Sequence, residues 1–495
     1  MMCRNSLLSI LFVLILSPNV FSQSTGDSAL SAIRASDRSD KIAKSKDAVP
    51  ADEHLRRAAI YLANRLFADA RTHWQAILDN YPNDATVPAA LLGMARSFFV
   101  ERRYDDARRT YERLARSFPD TKEGREGLNF SASALLRMGR GAEAAARYIE
   151  YIQKYPNGER IDTAHLNAID GFREAGQPQA AIEWIERTRQ RFAGTATERN
   201  ALFTRLRLDI ALADWPHAVQ AADELLRSPL AGSSTTADEV LYLKAHALER
   251  AGRRDDAIRV YLLIPDAPNS YFGGLATMSL RNSGDSSAVQ IATQRATTVG
   301  NAIENSASDF PVPYRLQILN AANKRNLDPR LILAIMKQES VFKPGARSPS
   351  AARGLLQLTI DAANKYGSRA GYQNVTEDML YRPDVSIAIG AEYLAELSRM
   401  FAGLPEAIAA AYNGGEDNVA RWLARSNQND QGVFASEVGF SESKGYVFRV
   451  MSNYRAYKRL YDAKLNRLGA AKSKEAKGKR QGQRAKGKEL EQSAN

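Results

Sequence analysis

The chain has 495 residues, 44% apolar and 25% charged, with a formal net charge of +12 at pH 7. That is ordinary globular composition, in a chain long enough for two to four domains. Its single cysteine, Cys3, and five scattered histidines (His54, His73, His165, His217 and His246) exclude a disulfide framework, a cysteine nucleophile and a zinc site of ordinary spacing, so neither metal nor other cofactor is expected.

The first 22 residues read as an export signal. Arg4 precedes the apolar run Leu7 to Leu16, which is too short to span a membrane, and Val20 and Ser22 stand at −3 and −1 of a cleavage before Gln23. The expected location is the periplasm, with an uncleaved N-terminal anchor as the alternative. Cys3 leaves with the signal.

Beyond the signal the chain repeats itself with a period of 37. Tyr81-Pro82, Phe118-Pro119 and Tyr155-Pro156 keep that step and Phe192 continues it, while Ala70, Ala107, Ala144, Ala181 and Ala218 keep the same step upstream. Ala257 comes 39 residues after Ala218. Each unit reads as two amphipathic helices, with alanine where they cross closely and proline beyond the second. Residues 52–265 therefore form an α-solenoid that resembles tetratricopeptide repeats with slightly longer loops. Trp74, Trp184 and Trp215 are expected to pack within it. Solenoids present surfaces to protein partners, but nothing in these residues names one. Residues 266–309 break the pattern and read as a linker or small helical insert, ended by Phe310-Pro311-Val312-Pro313-Tyr314.

Asp328-Pro329 then supplies an N-cap and a proline at the first helical position of Leu331-Ile332-Leu333-Ala334-Ile335-Met336-Lys337-Gln338-Glu339-Ser340. At 100° per residue Glu339 falls on the apolar stripe and Lys337 points roughly the opposite way. A carboxyl held against apolar neighbours loses hydration and its pKa rises. An arbitrary glutamate at a helix end more often turns to solvent, so the position gains weight only from the motifs downstream of it.

Four motifs occur in order: Gln338-Glu339-Ser340, Ser348 to Gln357 ending Gly354-Leu355-Leu356-Gln357, Ala411-Tyr412-Asn413, and Glu442-Ser443-Lys444-Gly445-Tyr446-Val447. With them, residues 310–461 resemble the catalytic domain of soluble lytic transglycosylases, goose-lysozyme-like enzymes that cleave bacterial peptidoglycan. Leu356 stands where methionine is usual, and Gly414-Gly415-Glu416 where Ala-Gly-Pro is common. The implied fold is mostly α, an N-terminal solenoid of helix pairs followed by a lysozyme-like helical domain. The implied activity is cleavage of the β-1,4 bond between N-acetylmuramic acid and N-acetylglucosamine, giving 1,6-anhydro ends, with Glu339 as acid and then base. Ser340 and Gln357 are implied hydrogen-bond partners of the carboxyl and the sugar amides. Tyr412 would orient Glu339 or contact substrate, Asn413 would support the cleft, and Glu442 with Tyr446 would tune the site. A hydrolytic muramidase and a non-catalytic glycan-binding scaffold are the competing readings.

Residues 466–495 carry nine Lys/Arg against three Glu, a net +6, and only Leu468 and Leu490 are large and apolar. Such a tail is expected to be disordered. Nucleic acid is not the expected partner, since no aromatics interleave the charges. An anionic wall or membrane surface is, with simple solvation as the alternative. If the tail binds the wall electrostatically, its deletion reduces sedimentation with cell walls more at low salt than at high salt. An equal effect at both would refute the idea.

Overall fold

The structure, a computed structural model, describes residues 27–42, 49–426 and 430–468. The expected signal, Cys3 and the basic tail beyond Leu468 lie outside these residues. The described residues are helical, with only isolated β-bridges besides.

Six helix pairs make up the array. Their first helices are Ala51–Ala63, Val87–Val100, Lys122–Arg137, Ile161–Glu174, Ala196–Ala211 and Ala237–Arg250. Their second helices are Phe67–Asn80, Tyr104–Ser117, Gly141–Lys154, Pro178–Arg191, Trp215–Leu226 and Arg254–Leu263. The periodic alanines lie on the second helices, where Ala70, Ala107, Ala144, Ala181 and Ala218 are fully buried. A larger side chain there would force the helices apart. The periodic aromatics Tyr81, Phe118, Tyr155 and Phe192 each sit just past a second helix. They can tie neighbouring units, as where the Tyr155 hydroxyl donates to the Pro119 carbonyl at 3.0 Å. Trp74 is buried, while Trp184 and Trp215 are half-buried against the apolar clusters.

Each turn from first to second helix contains one left-handed residue, the ordinary way to end an α-helix. These are Arg65, Arg102, Gly139, Gly176, Ala213 and Gly252. The two arginines take this conformation at φ 62° and 64° despite their side chains, and both reach the C-terminal domain.

The stretch 266–309 is no loose linker. It holds helices Tyr271–Asn282 and Ser286–Asn305. Tyr271 stacks on Phe448 with ring centroids 5.1 Å apart, and Asp266 is paired with Arg455 at 2.7 and 2.8 Å. The polar residues 281–287 and the Thr-rich exposed face of the second helix hid the helical period. The start of the tail is also attached to the last helix, since the Leu468 amide donates to the Leu460 carbonyl at 2.9 Å.

In the C-terminal domain, helix Pro329–Ser340 is the core element, with Ile332, Leu333, Ala334, Ile335 and Met336 fully buried. It packs on Ser441–Leu460, the long last helix, beside Pro405–Gly414. One apolar cluster runs from Leu202 in the array to Leu465, so the later repeats and this domain share a core. The first-helix ends also meet it through charges. Arg65 pairs with Asp361, Arg102 with Glu416, Glu174 with Arg421, and Glu239 with Lys444. The N-terminal helix Asp27–Ile42 joins the same belt: Asp27 accepts from the fully buried Arg353 at 2.5 Å and from Tyr381 at 2.9 Å.

Glu437 is among the most enclosed members of this belt, 1% exposed, and Arg173 binds both its oxygens at 2.5 and 3.2 Å while Arg207 approaches to 3.2 Å. Glu437→Ala strands these guanidinium groups out of water, a change expected to cost roughly 3–5 kcal/mol. Denaturant unfolding measures it, and a loss under about 1 kcal/mol would show that the belt contributes little.

Candidate active site

Asp328 caps the Pro329–Ser340 helix, its side chain accepting from the Arg330 amide, and Glu339 lies in its last turn. The chain then passes through two consecutive left-handed residues, Val341 at φ 48° and Phe342 at φ 62°. A β-branched residue in that region is strained, and such strain concentrates at functional sites.

Glu339 is half-buried, and its oxygen Oε1 accepts a 2.6 Å hydrogen bond from the Tyr446 hydroxyl. Burial raises its carboxyl to about 7. The Tyr446 bond favours the carboxylate and opposes that rise, while the negative charge of Glu442 adds to it more weakly. The outcome is an acid poised near neutral pH, able to give a proton and to take one back. Burial keeps the phenols of Tyr446 and Tyr412 well above their ordinary range, so both remain neutral donors.

The other expected residues gather around Glu339 with different tasks. Ser340 does not bond the carboxyl: its buried hydroxyl donates to the Leu355 carbonyl at 2.8 Å, tying the helix to the loop that carries Gln357. The Gln357 amide nitrogen is engaged with the carbonyls of Gly354 at 2.9 Å and Ala346 at 3.1 Å. This closes the loop on itself, with Gln357 at φ 44°. Gly354 is required there, because a Cβ would lie 1.9 Å from the Leu380 carbonyl oxygen. Tyr412 donates to the Leu356 carbonyl at 2.6 Å rather than to Glu339, and Asn413 accepts from Ser443 at 2.6 Å. Of the two tyrosines, therefore, Tyr446 holds the carboxyl and Tyr412 holds the loop.

A cavity of about 700 Å³ opens beside this group. Gln357, Tyr412, Asn413 and Glu442 line one side, while Arg65, Phe99, Arg102, Tyr104 and Arg137 of the helical array line the other. Glu339 is not itself among the lining residues, but its charge acts on Tyr412 and that of Glu442 acts on it, and both of these line the cavity. The array residues were not found by sequence reasoning, which treated the two halves separately. One signal was available: at the step where Gly139, Gly176 and Gly252 stand, Arg65 and Arg102 replace glycine. Among the described residues no group of three or more His, Cys, Asp or Glu has the geometry of a metal site.

Residues 317–434 match the family described as Transglycosylase SLT domain, and residues 89–121 match a tetratricopeptide repeat family. The chain is 31% identical over 171 residues to the soluble lytic murein transglycosylase of Escherichia coli K12, an alignment covering 34% of this chain and 26% of that protein. It is 29% identical over 182 residues to the membrane-bound lytic murein transglycosylase C of Cronobacter sakazakii, covering 32% of this chain and 50% of that one. The matched part thus spans only a quarter to a half of these relatives. Among solved structures, the lytic transglycosylase Slt of Pseudomonas aeruginosa aligns with a TM-score of 0.46 at 18% identity, over 82% of this chain and 78% of that one. The motif resemblance thus extends to sequence matches in both halves of the chain.

Because burial raises the Glu339 pKa above its unfolded value, the folded state loses stability as pH climbs from about 4.5 to about 7. Glu339→Gln is therefore expected to be more stable than the wild type at pH 8 by on the order of 2 kcal/mol, a gain that vanishes near pH 4. Equal stability at both pH values in urea unfolding would refute the raised pKa. Carboxyl ¹³C NMR should show Tyr446→Phe raising that pKa further and Glu442→Gln lowering it; shifts of the same sign would contradict the assigned causes.

Proposed function

We propose that this protein is an exported, periplasmic peptidoglycan lytic transglycosylase that cleaves the β-1,4 bond between N-acetylmuramic acid and N-acetylglucosamine. The observation that carries the reading is one carboxyl, Glu339, raised to about 7 by burial and held by a single neutral phenol beside an open cleft. The match of residues 317–434 to the transglycosylase SLT domain supports it independently.

Cleavage requires a proton on a poor leaving-group oxygen while positive charge develops at the anomeric carbon. Protonated Glu339 gives that proton, and the neighbouring N-acetyl group of the substrate assists at the anomeric carbon. The carboxylate so formed takes the proton of the C6 hydroxyl, whose oxygen closes the 1,6-anhydro ring. The Tyr446 bond is strongest when Glu339 is ionised, so it stabilises the intermediate stage of this cycle. Gln357, Tyr412 and Asn413 shape the wall on which the sugars lie, and Ser340 keeps that wall in register with the acid.

A muramidase acting by hydrolysis is the second reading, favoured by the presence of Glu442 on the same cavity. A conventional mechanism would use that carboxylate to activate water.

Glu339→Gln is expected to lower lysis of purified cell walls by at least about a thousandfold, as removal of an acid–base group does. Retained lysis would sink the assignment and revive the reading of a passive glycan-binding scaffold. Mass spectrometry of wild-type digests should find 1,6-anhydro ends; reducing ends alone would establish the hydrolase.

A further inference from the structure

Three arginines from three successive corners of the helical array face the cavity, and two of them are already paired. Arg65 binds both oxygens of Asp361 at 2.5 and 2.7 Å. Arg102 binds Glu416 at 2.6 Å and approaches Asp417 at 3.4 Å. Arg137 is different. It is the last residue of its helix, and among the described residues no hydrogen bond or ion pair joins it to a carboxylate. Its guanidinium lies instead between two aromatic rings, 5.5 Å from the centroid of Phe99 in the array and 5.7 Å from that of Phe440 in the C-terminal domain.

This setting fits a ligand better than a structural role. Desolvation together with the nearby Arg421 pushes Arg137 down to about 10, so it stays cationic at neutral pH. Tyr104 and Asp417 offset that push only in part, and a poorly hydrated charge with no hydrogen bond to a carboxylate gains most from an incoming anion, whose geometry the planar guanidinium fork matches. Phe440 leads directly into Ser441 and Glu442, which line the same cavity. The sandwich therefore fixes the cation beside the segment that bears Glu442.

We propose that Arg137 is a carboxylate-binding residue lent to the cleft by the helical array, taking an anionic group of the substrate strand. That group is either a carboxylate of the peptide borne by the muramic acid or the lactyl carboxylate left free where the peptide has been removed. The inference rests on the proposed action on peptidoglycan and deepens it. The array then selects strands by their substituents, while the C-terminal domain performs the cleavage.

The test compares three substrates with wild type, Arg137→Met and Arg137→Gln. The substrates are strands carrying free peptide carboxylates, the same strands with those carboxylates converted to amides, and strands stripped of peptide, which expose the lactyl carboxylate. The substitutions keep an extended side chain between Phe99 and Phe440, and either variant that folds is read in the same way. For peptide carboxylates, amidation raises the wild-type KM about tenfold, the loss of one charge-assisted hydrogen bond, and the variants no longer distinguish the first two substrates. For the lactyl group, the variants lose affinity only on the stripped strands. Both results support the proposal and assign the source. Equal loss on all three substrates, or none on any, overturns it. A wild type that cleaves none of the three overturns the underlying function instead, so the two failures are distinguishable.

Discussion

The contact between the corners of the helical array and the C-terminal domain is the constraint on which the site depends. Each first helix ends in a left-handed turn, and the residues at these turns reach across to carboxylates and cations of the other domain. Many of these charges are buried. Arg173, Arg425 and Glu437 are all under 10% exposed, and none of them could be left there alone. A buried ion pair against an apolar alternative adds little net stability, because desolvation offsets most of the attraction. What it supplies is geometric selection. An array slipped by one repeat, or rotated about its axis, would leave several charges out of water without partners. The shared apolar core from Leu202 to Leu465 supplies the adhesion, and the charges select the single arrangement in which the cavity exists.

That cavity is consequently a property of the whole chain. One wall belongs to the loop closed by Gly354 and Gln357, the other to Phe99, Arg102, Tyr104 and Arg137. Arg65 and Arg102 show how closely the walls are linked. A non-glycine residue in the left-handed region costs about 1–2 kcal/mol. At these two turns an arginine accepts that cost and spans to Asp361 and Glu416 on the far side. From the third turn onward, glycine or alanine fills the same step.

Much of this was legible in the sequence, and the reason differs from part to part. The repeat array was readable because alanine at helix crossings and an aromatic after each second helix recur at a fixed step. Glu339 was readable because proline and aspartate mark the start of its helix and the apolar period runs through it. The partners within the site were less so. Ser340, Gln357 and Tyr412 all gather near Glu339, yet their hydrogen bonds go to loop carbonyls. A motif reports which side chains are gathered and says little about which atom each will satisfy, since backbone carbonyls buried by loop folding compete for the same donors. The two helices between 266 and 309 were obscured by the polar residues 281–287 at their junction and by the Thr-rich exposed face of the second. The solenoid side of the cleft left only the arginines standing at the glycine step as a trace, because the pairs Arg65 with Asp361 and Arg102 with Glu416 join residues about 300 positions apart.

The electrostatics of Glu339 show what the proposed acid–base role asks of its surroundings. Full hydration would return the carboxyl to its ordinary range and leave it ionised at neutral pH, useless as a proton donor. Complete enclosure without a donor would hold it protonated far above neutrality, and it could not serve as the base in the proposed cycle. The observed compromise is burial on one side by the fully buried Ile335 and Met336, and one hydrogen bond from Tyr446. Both Tyr446 and Glu442 project from the last helix, which packs along the helix of Glu339. Packing between these two helices therefore sets the proton affinity of the acid as well as its position. A substitution that shifts one helix along the other changes both together.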